Sequence, residues 1–287
     1  VLLSVVGHNW TLLLVGVIGV ALLPRLRFGR GAFAAARRRW LATVIFVAAV
    51  GWPIGAVVFL DSFASLTSSL LVGRYWVEAL PFHAIALLWV MIGLVVPLGL
   101  SQAVVQSVTV SHARGDRSAR NRAVAGGLAI GAAYGLVALL VFKLAPLRLG
   151  GLLLGAAALE PATRSRLVEI MPWAGALLAF QGIIVIAAAA LRGIGDPRAP
   201  LLRALVCYLV IGVGSEFLFA RILHRGVRGV WWGLALGFGC TALGVTVRCH
   251  RAFRATHIEE EEEKEDERNH TEGFGSHHSG LGEQPRP

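Results

Sequence analysis

The chain has 287 residues, 56% of them hydrophobic and 15% charged, with a mean hydropathy of +0.68. A soluble domain does not carry that balance, whereas a polytopic helical membrane protein does. The net charge of +10 does not point to nucleic acid, because the arginines sit in short loops between apolar stretches, where they act as topology signals.

The first apolar span runs over about 2–23, is interrupted by His8-Asn9 and stops at Pro24. It opens inside an apolar run, without Met and without the pattern of a cleavable signal, which reads as a chain truncated ahead of Val1. Six arginines follow between Arg25 and Arg39. Residues 41–50 are apolar and lead into Gly51-Trp52-Pro53 and a run that continues to Val72. Joined, the two pieces would make a helix of about 48 Å, longer than the roughly 30 Å hydrocarbon core. A break or bend is therefore expected near Pro53, a residue suited to a first helical turn.

Inside that run stands one acid, Asp61. It lies about 12 Å beyond Pro53 at helical rise, far from either end of the span. A charged Asp at mid-membrane costs roughly 2.5–3.5 kcal/mol on insertion scales and commonly lines a cavity or an ion path. The reading for Asp61 is a carboxylate that takes up and releases a cation. Ten of the seventeen acids fall after residue 258, so the apolar body holds only Asp61, Glu78, Asp116, Glu160, Glu169, Asp196 and Glu216.

Gly73-Arg74-Tyr75-Trp76 reads as a turn with interfacial aromatics. A long span over about 79–110 contains Pro97, where a kink is expected. A basic loop, 112–122, precedes a Gly/Ala-rich span over about 123–142, in which Gly126, Gly127, Gly131 and Gly135 offer small faces for close helix packing. Residues 143–168 read as the longest loop, and spans follow at about 170–191, 201–222 and 229–247, making seven in all. Counting Lys and Arg at alternate ends puts sixteen on the side of the 25–39 loop and eight on the other. That bias places the first set, with the C-terminus, in the cytoplasm. The tail from about Thr256 is acidic, then rich in Gly, His and Ser, and is expected to be disordered. His277-His278 are ordinary polar residues of that tail, not a metal site. Cys207, Cys240 and Cys249 lack paired spacing and read as buried thiols, with neither zinc nor disulfide implied.

Several motifs, in order, resemble the multidrug and toxic compound extrusion (MATE) transporters. They are Leu80-Pro-Phe-His-Ala-Ile-Ala-Leu87, Pro97-Leu-Gly-Leu-Ser-Gln-Ala103 with its Arg114-Gly-Asp116 loop, and Leu191-Arg-Gly-Ile-Gly-Asp196. Tyr208, Gly212 and Gly229-Val-Trp-Trp-Gly-Leu-Ala-Leu-Gly237 complete the set. The resemblance implies an all-α membrane protein in which 1–40 carries the last helix of an N-terminal half and a basic linker. It further implies that 41–254 is the C-terminal six-helix lobe, with 255–287 a cytoplasmic tail.

The resemblance places Asp61 at the acid of the seventh helix, tied to cation coupling in bacterial members. Some members carry an Asp at the position matching Gln181, so a two-carboxylate site is not expected here. Gln181 can ligate a cation, hydrogen-bond Asp61, or simply supply polarity to helix packing. Ser68, Ser69, Ser101, Gln102 and Gln106 are candidates for a substrate passage, although serines also join helices. Glu216, also a passage candidate, reads chiefly as an acid partnered with Arg221 or reaching toward the outer surface, with a second coupling site as the alternative. His83 reads as a packed histidine, and Gly193, Gly195 and Pro197 as a turn, not a phosphate cradle.

The expected function is export of drugs or toxic organic, often cationic, compounds across the plasma (inner) membrane against H+ or Na+, by alternating access. No cofactor is implied beyond the coupling ion, and the implied partners are those compounds, membrane lipid and an N-terminal half. An enzyme is not expected, because no nucleophile–base or metal-ligand constellation falls in the spans. The alternatives are a lipid-linked oligosaccharide flippase of the same superfamily and a non-transporting truncated membrane protein.

Overall fold

The computed structural model describes residues 30–154, 161–196 and 199–278, with side chains chiefly between 51 and 254. The span at 2–23 lies outside the described residues. Every regular element among those described is helical. In chain order they are α1 (Arg30–Tyr75), a 3-10 turn (Val77–Ala79), α2 (Leu80–Ala113), α3 (Arg117–Leu144), α4 (Pro146–Leu154), α5 (Pro161–Gly193) and α6 (Ala199–Ala204). A π-helical segment (Leu205–Val213), α7 (Gly214–Phe217), a second π-helical segment (Leu218–Ile222) and α8 (Gly226–His278) complete the order. The chain divides into two compact units, 1–52 and 53–287.

Six stretches among the described residues are long and apolar enough to cross a membrane: Gly51–Tyr75, Val77–Ala113, Arg117–Leu144, Arg164–Gly193, Pro200–Ile222 and Gly226–Arg254. They match the expected second to seventh spans. Their outward faces carry large apolar side chains, with Met91, Val210 and Leu243 each about two-thirds exposed. Such faces suit a solvent of lipid tails, which removes any penalty for exposing hydrocarbon. The chain is thus a multi-pass helical membrane protein.

α5 forms the centre of the larger unit. It packs against α2, α3 and α8, and 72% of its apolar window is buried, against 17% in Gly51–Tyr75. Small residues make this possible. A Cβ added at Gly135 would come within 3.0 Å of the Ala179 backbone, and one at Gly175 within 3.0 Å of Leu139 Cα. Gly127 and Gly131 fit against the side chains of Val104 and Ile186, whereas Gly126 faces open space and is no part of the packing face.

The sixth span lies along α8 through a glycine row spaced by four, Gly229, Gly233 and Gly237. A Cβ at these positions would fall 2.6 Å from the Ala220 backbone nitrogen, 2.3 Å from that of Glu216 and 2.6 Å from Gly212 Cα, respectively. This is backbone-on-backbone contact of the small-xxx-small kind, and it accounts for the glycines of the 229–237 motif.

Two other motifs are helix stops. Gly195 (φ +85°) donates its N–H to the Arg192 carbonyl at 3.1 Å and Asp196 donates to Leu191 at 2.9 Å. Gly115 (φ +66°) and Asp116 repeat the arrangement on His112 and Ser111. Both are Schellman closures, which require a residue in the left-handed region and so select glycine. Asp116 then caps α3, accepting the Ala119 N–H at 2.9 Å. Gly193–Gly195 is accordingly a turn, as expected; Pro197 lies outside the described residues.

Pro53 and Pro97 each lie inside a continuous helix. Two expectations are corrected. The 143–168 loop is mostly helical, holding α4 and the start of α5, and Trp89 of α2 anchors α4 by donating Nε1–H to the Leu149 carbonyl at 3.0 Å. Helix α8 continues through the acidic run to His278, where composition suggested disorder; Glu and Lys are strong helix formers, so the run carries helical propensity despite its charge. The side chains of that tail, including His277 and His278, lie outside the description.

Contacts between helix ends sort them into two groups. Arg248 meets Asp196 at 2.7 Å and the Arg120 guanidinium lies 5.5 Å from the Phe253 ring centre. At the opposite ends Arg228 meets Glu169 at 2.8 Å and Arg221 lies over the Tyr75 ring at 4.2 Å. The pairing is what up-and-down spans demand and agrees with the alternation used to count arginines.

Candidate functional site

Asp61 projects from the middle of the Gly51–Tyr75 span and is half-buried. Across from it stands Gln181, on the central helix α5 and 7% exposed. The amide Nε2 of Gln181 donates to Asp61 Oδ1 at 3.0 Å. The other amide atom, Oε1, is buried and has no hydrogen-bond partner among the described residues. Of the three readings open for Gln181, the structure shows the hydrogen bond to Asp61.

The local sequence explains the approach. Gly182, beside Gln181, lets Pro97 of α2 close in, with a Cβ at that position falling 3.3 Å from Pro97 Cγ. Buried Tyr208, on the sixth span, packs its ring at a tilt against Phe238, centroids 4.5 Å apart. Sequence reasoning valued Tyr208 only as part of a motif; an aromatic hydroxyl deep in an apolar span was the signal available.

The arrangement has two hydrogen-bonding states. An ionised Asp61 accepts the amide N–H, as observed. A protonated Asp61 has an O–H to donate, and the amide, turned end for end, presents Oε1 to receive it. One side chain thus accommodates both charge states without leaving a donor facing a donor. Because the amide oxygen is also a hard ligand, the pair offers carboxylate and carbonyl oxygens to a small cation as well.

The remaining candidates do not join this pair. Ser68, seven residues beyond Asp61, is fully buried, bonded to the Ser65 carbonyl at 2.7 Å and lying 3.3 Å from His83 Nε2. Ser69 approaches the same nitrogen at 3.2 Å. These serines tie α1 to α2, which places Ser68 at a helix junction. Buried Ser101 folds back on the Leu98 carbonyl. Gln102 and Gln106 are exposed on α2, and Gln106 borders a shallow groove of about 600 Å³ with Ser107, Ser111 and Arg122.

Glu216 differs most from expectation. It is wholly buried and neither carboxylate oxygen has a partner among the described residues. Arg221, the expected partner, lies over Tyr75 instead. His83 is also fully buried, its ring edge-on to Trp231 at 5.3 Å, with Nδ1 unbonded.

Comparison with known proteins agrees with this architecture. The MatE family model matches residues 53–218. Among curated relatives, the probable multidrug resistance protein NorM of Rhizobium meliloti (strain 1021) is 33% identical over 212 residues, covering 71% of this chain and 44% of that protein. The probable multidrug resistance protein NorM of Pseudomonas putida is 32% identical over 225 residues, covering 77% and 46%. The chain therefore spans about half the length of the curated relatives it matches. Among solved structures, an inward-facing multidrug resistance MATE family transporter of the MOP superfamily superposes with a TM-score of 0.66 at 18% identity, covering 76% of this chain and 49% of that one. The eukaryotic MATE transporter AtDTX14 superposes with a TM-score of 0.65 at 17% identity, covering 76% and 50%. With the motifs in order, the six spans in place and the family match lying across them, the chain belongs to the MatE family.

Proposed function

We propose that this chain serves as the C-terminal lobe of a cation-coupled exporter of drugs or toxic organic compounds, often cationic, in the plasma (inner) membrane with its C-terminus in the cytoplasm. The observation that carries the reading is the Asp61–Gln181 pair, a mid-span carboxylate held by a buried amide on the central helix. The coupling ion is H+ or Na+, held at Asp61. Occupied and vacant Asp61 favour different pairings with Gln181, and through α5 those pairings bias the packing of α2, α3 and α8. Substrate is then bound in one packing and released in the other. The passage runs between this lobe and an N-terminal half, as in transporters built from repeats. Relatives named for multidrug resistance support the substrate class.

The test measures efflux of a cationic dye from inverted vesicles at matched expression, with and without an imposed ion gradient. The chain co-expressed with a MATE N-terminal half should drive gradient-dependent efflux, and the chain alone should not. Asp61→Asn keeps the size of the side chain and should still insert, but an amide neither exchanges a proton nor binds Na+ well. Its gradient-driven efflux should fall to the background of empty vesicles. Parental efflux from Asp61→Asn would refute the coupling role.

A further inference from the structure

We propose that Glu216 is a second protonation site of this lobe, distinct from Asp61, which holds a proton while the sixth span is packed on α8 and releases it when the two helices part.

The argument begins with isolation. Glu216 is 0% exposed, and both of its carboxylate oxygens lack a hydrogen-bond partner among the described residues. An ionised carboxylate buried without donors is far more costly than a neutral acid, and within a membrane span this cost is not relieved by bulk water. The charges that could compensate are committed elsewhere. Arg221 lies over Tyr75, Arg225 over the Trp232 ring at 5.7 Å, and Arg228 donates to Glu169 at 2.8 Å. The element packed on Gly214–Phe217 is α8, whose nearest charged residue before Gly233 is that same Arg228. His83 reaches α8 at the ring of Trp231 and shares its Nε2 with Ser68 and Ser69, making no bond to Glu216.

Among the described residues no group of three or more His, Cys, Asp or Glu side chains gathers at Glu216 to hold a metal cation. The neighbouring hydroxyl of Ser215 is turned onto the Gly212 carbonyl at 2.9 Å and the Gly233 carbonyl at 3.4 Å. A proton needs no such group.

The surrounding backbone shows how the site opens. Glu216 sits where the helices touch most closely: a Cβ at Gly233 would stand 2.3 Å from its nitrogen and 2.7 Å from its Cγ. Water reaches the carboxyl only if that contact separates. On either side the span is wound as π-helix, Leu205–Val213 and Leu218–Ile222, around a single α-helical turn that carries the acid. π-helical winding is uncommon and recurs at functional sites; here it brackets the one buried, unbonded acid of the sixth span.

The inference does not rest on the Asp61 reading, and its test needs no transport. The purified 287-residue chain is reconstituted in lipid vesicles and its infrared carbonyl band from protonated carboxyl groups is recorded at pH 7 and followed in D2O. The expected result is a protonated-carboxyl band that persists in Asp61→Asn, disappears in Glu216→Gln and shifts slowly in D2O. Gly233→Ala, which holds the helices apart, should speed that shift at least tenfold. Where Glu216→Gln fails to fold, the parental chain labelled with carboxyl-13C glutamate gives the same answer, because the band must move with the label. A band at pH 7 that ignores both the substitution and the label, or no band at all, overturns the proposal.

Discussion

Replacing Gly233 by alanine tests the glycine row that joins α8 to the sixth span. The added Cβ would lie 2.3 Å from Glu216 N and 2.5 Å from its Cα, where carbon contacts ordinarily stand at about 3.5–4.0 Å. The obstruction is backbone, so no rotamer change relieves it and the helices must separate by about 1 Å, a gap that forfeits a quarter to a half of each contact's attraction. That loss extends along the row to Gly229 on Ala220 and Gly237 on Gly212. Overpacking costs about 1–3 kcal/mol, and rigid opponents put this case near 3. Alanine's better helix propensity returns about 1 kcal/mol, leaving a net loss of about 2 kcal/mol. For a chain of roughly this size that lowers Tm by about 4–8 °C. Gly126→Ala is the matched control: nothing lies within 4 Å of its Cβ, so only the propensity gain of up to about 1 kcal/mol remains. Thermal unfolding in detergent, read by fluorescence-detected size exclusion, should move the two variants in opposite directions. A Gly233→Ala Tm at or above the parental value, or equal losses in both variants, would refute the packing argument.

Two further outcomes follow from the helix ends. With Cys207, Cys240 and Cys249 replaced, Arg30→Cys should react with an impermeant thiol reagent only from the cytoplasmic side and Arg74→Cys only from outside; external labelling at position 30 would overturn the topology. Asp116→Ala removes the cap on Ala119, a loss of about 1 kcal/mol, so its Tm in the same unfolding assay should fall by about 2–4 °C, and an unchanged Tm would mean the cap adds nothing.

The sequence by itself determined that this is a multi-pass helical membrane protein, because span length and hydropathy follow from bilayer thickness and need no knowledge of neighbours. It also marked Asp61, since an acid inside an apolar run stands out without any partner being known. The turn at Gly193–Gly195 was legible for a similarly local reason, whereas 112–122 read as one basic loop although the next helix already starts at Arg117. Tertiary structure decided the partners. Gln181 lies 120 residues from Asp61 and could equally have been packing polarity until α5 was seen at the centre of the bundle. Ser68 looked available to a substrate, but α2 brings His83 against it. Arg221 lies five residues beyond Glu216 and looked like its partner, yet its guanidinium lies over the ring of Tyr75 from another span, leaving the acid against Gly233. Pairwise choices of this kind depend on which helix faces which, and apolar spans exposed to lipid all carry much the same hydropathy. Small residues and backbone contact, more than the hydrophobic pattern, select the neighbours.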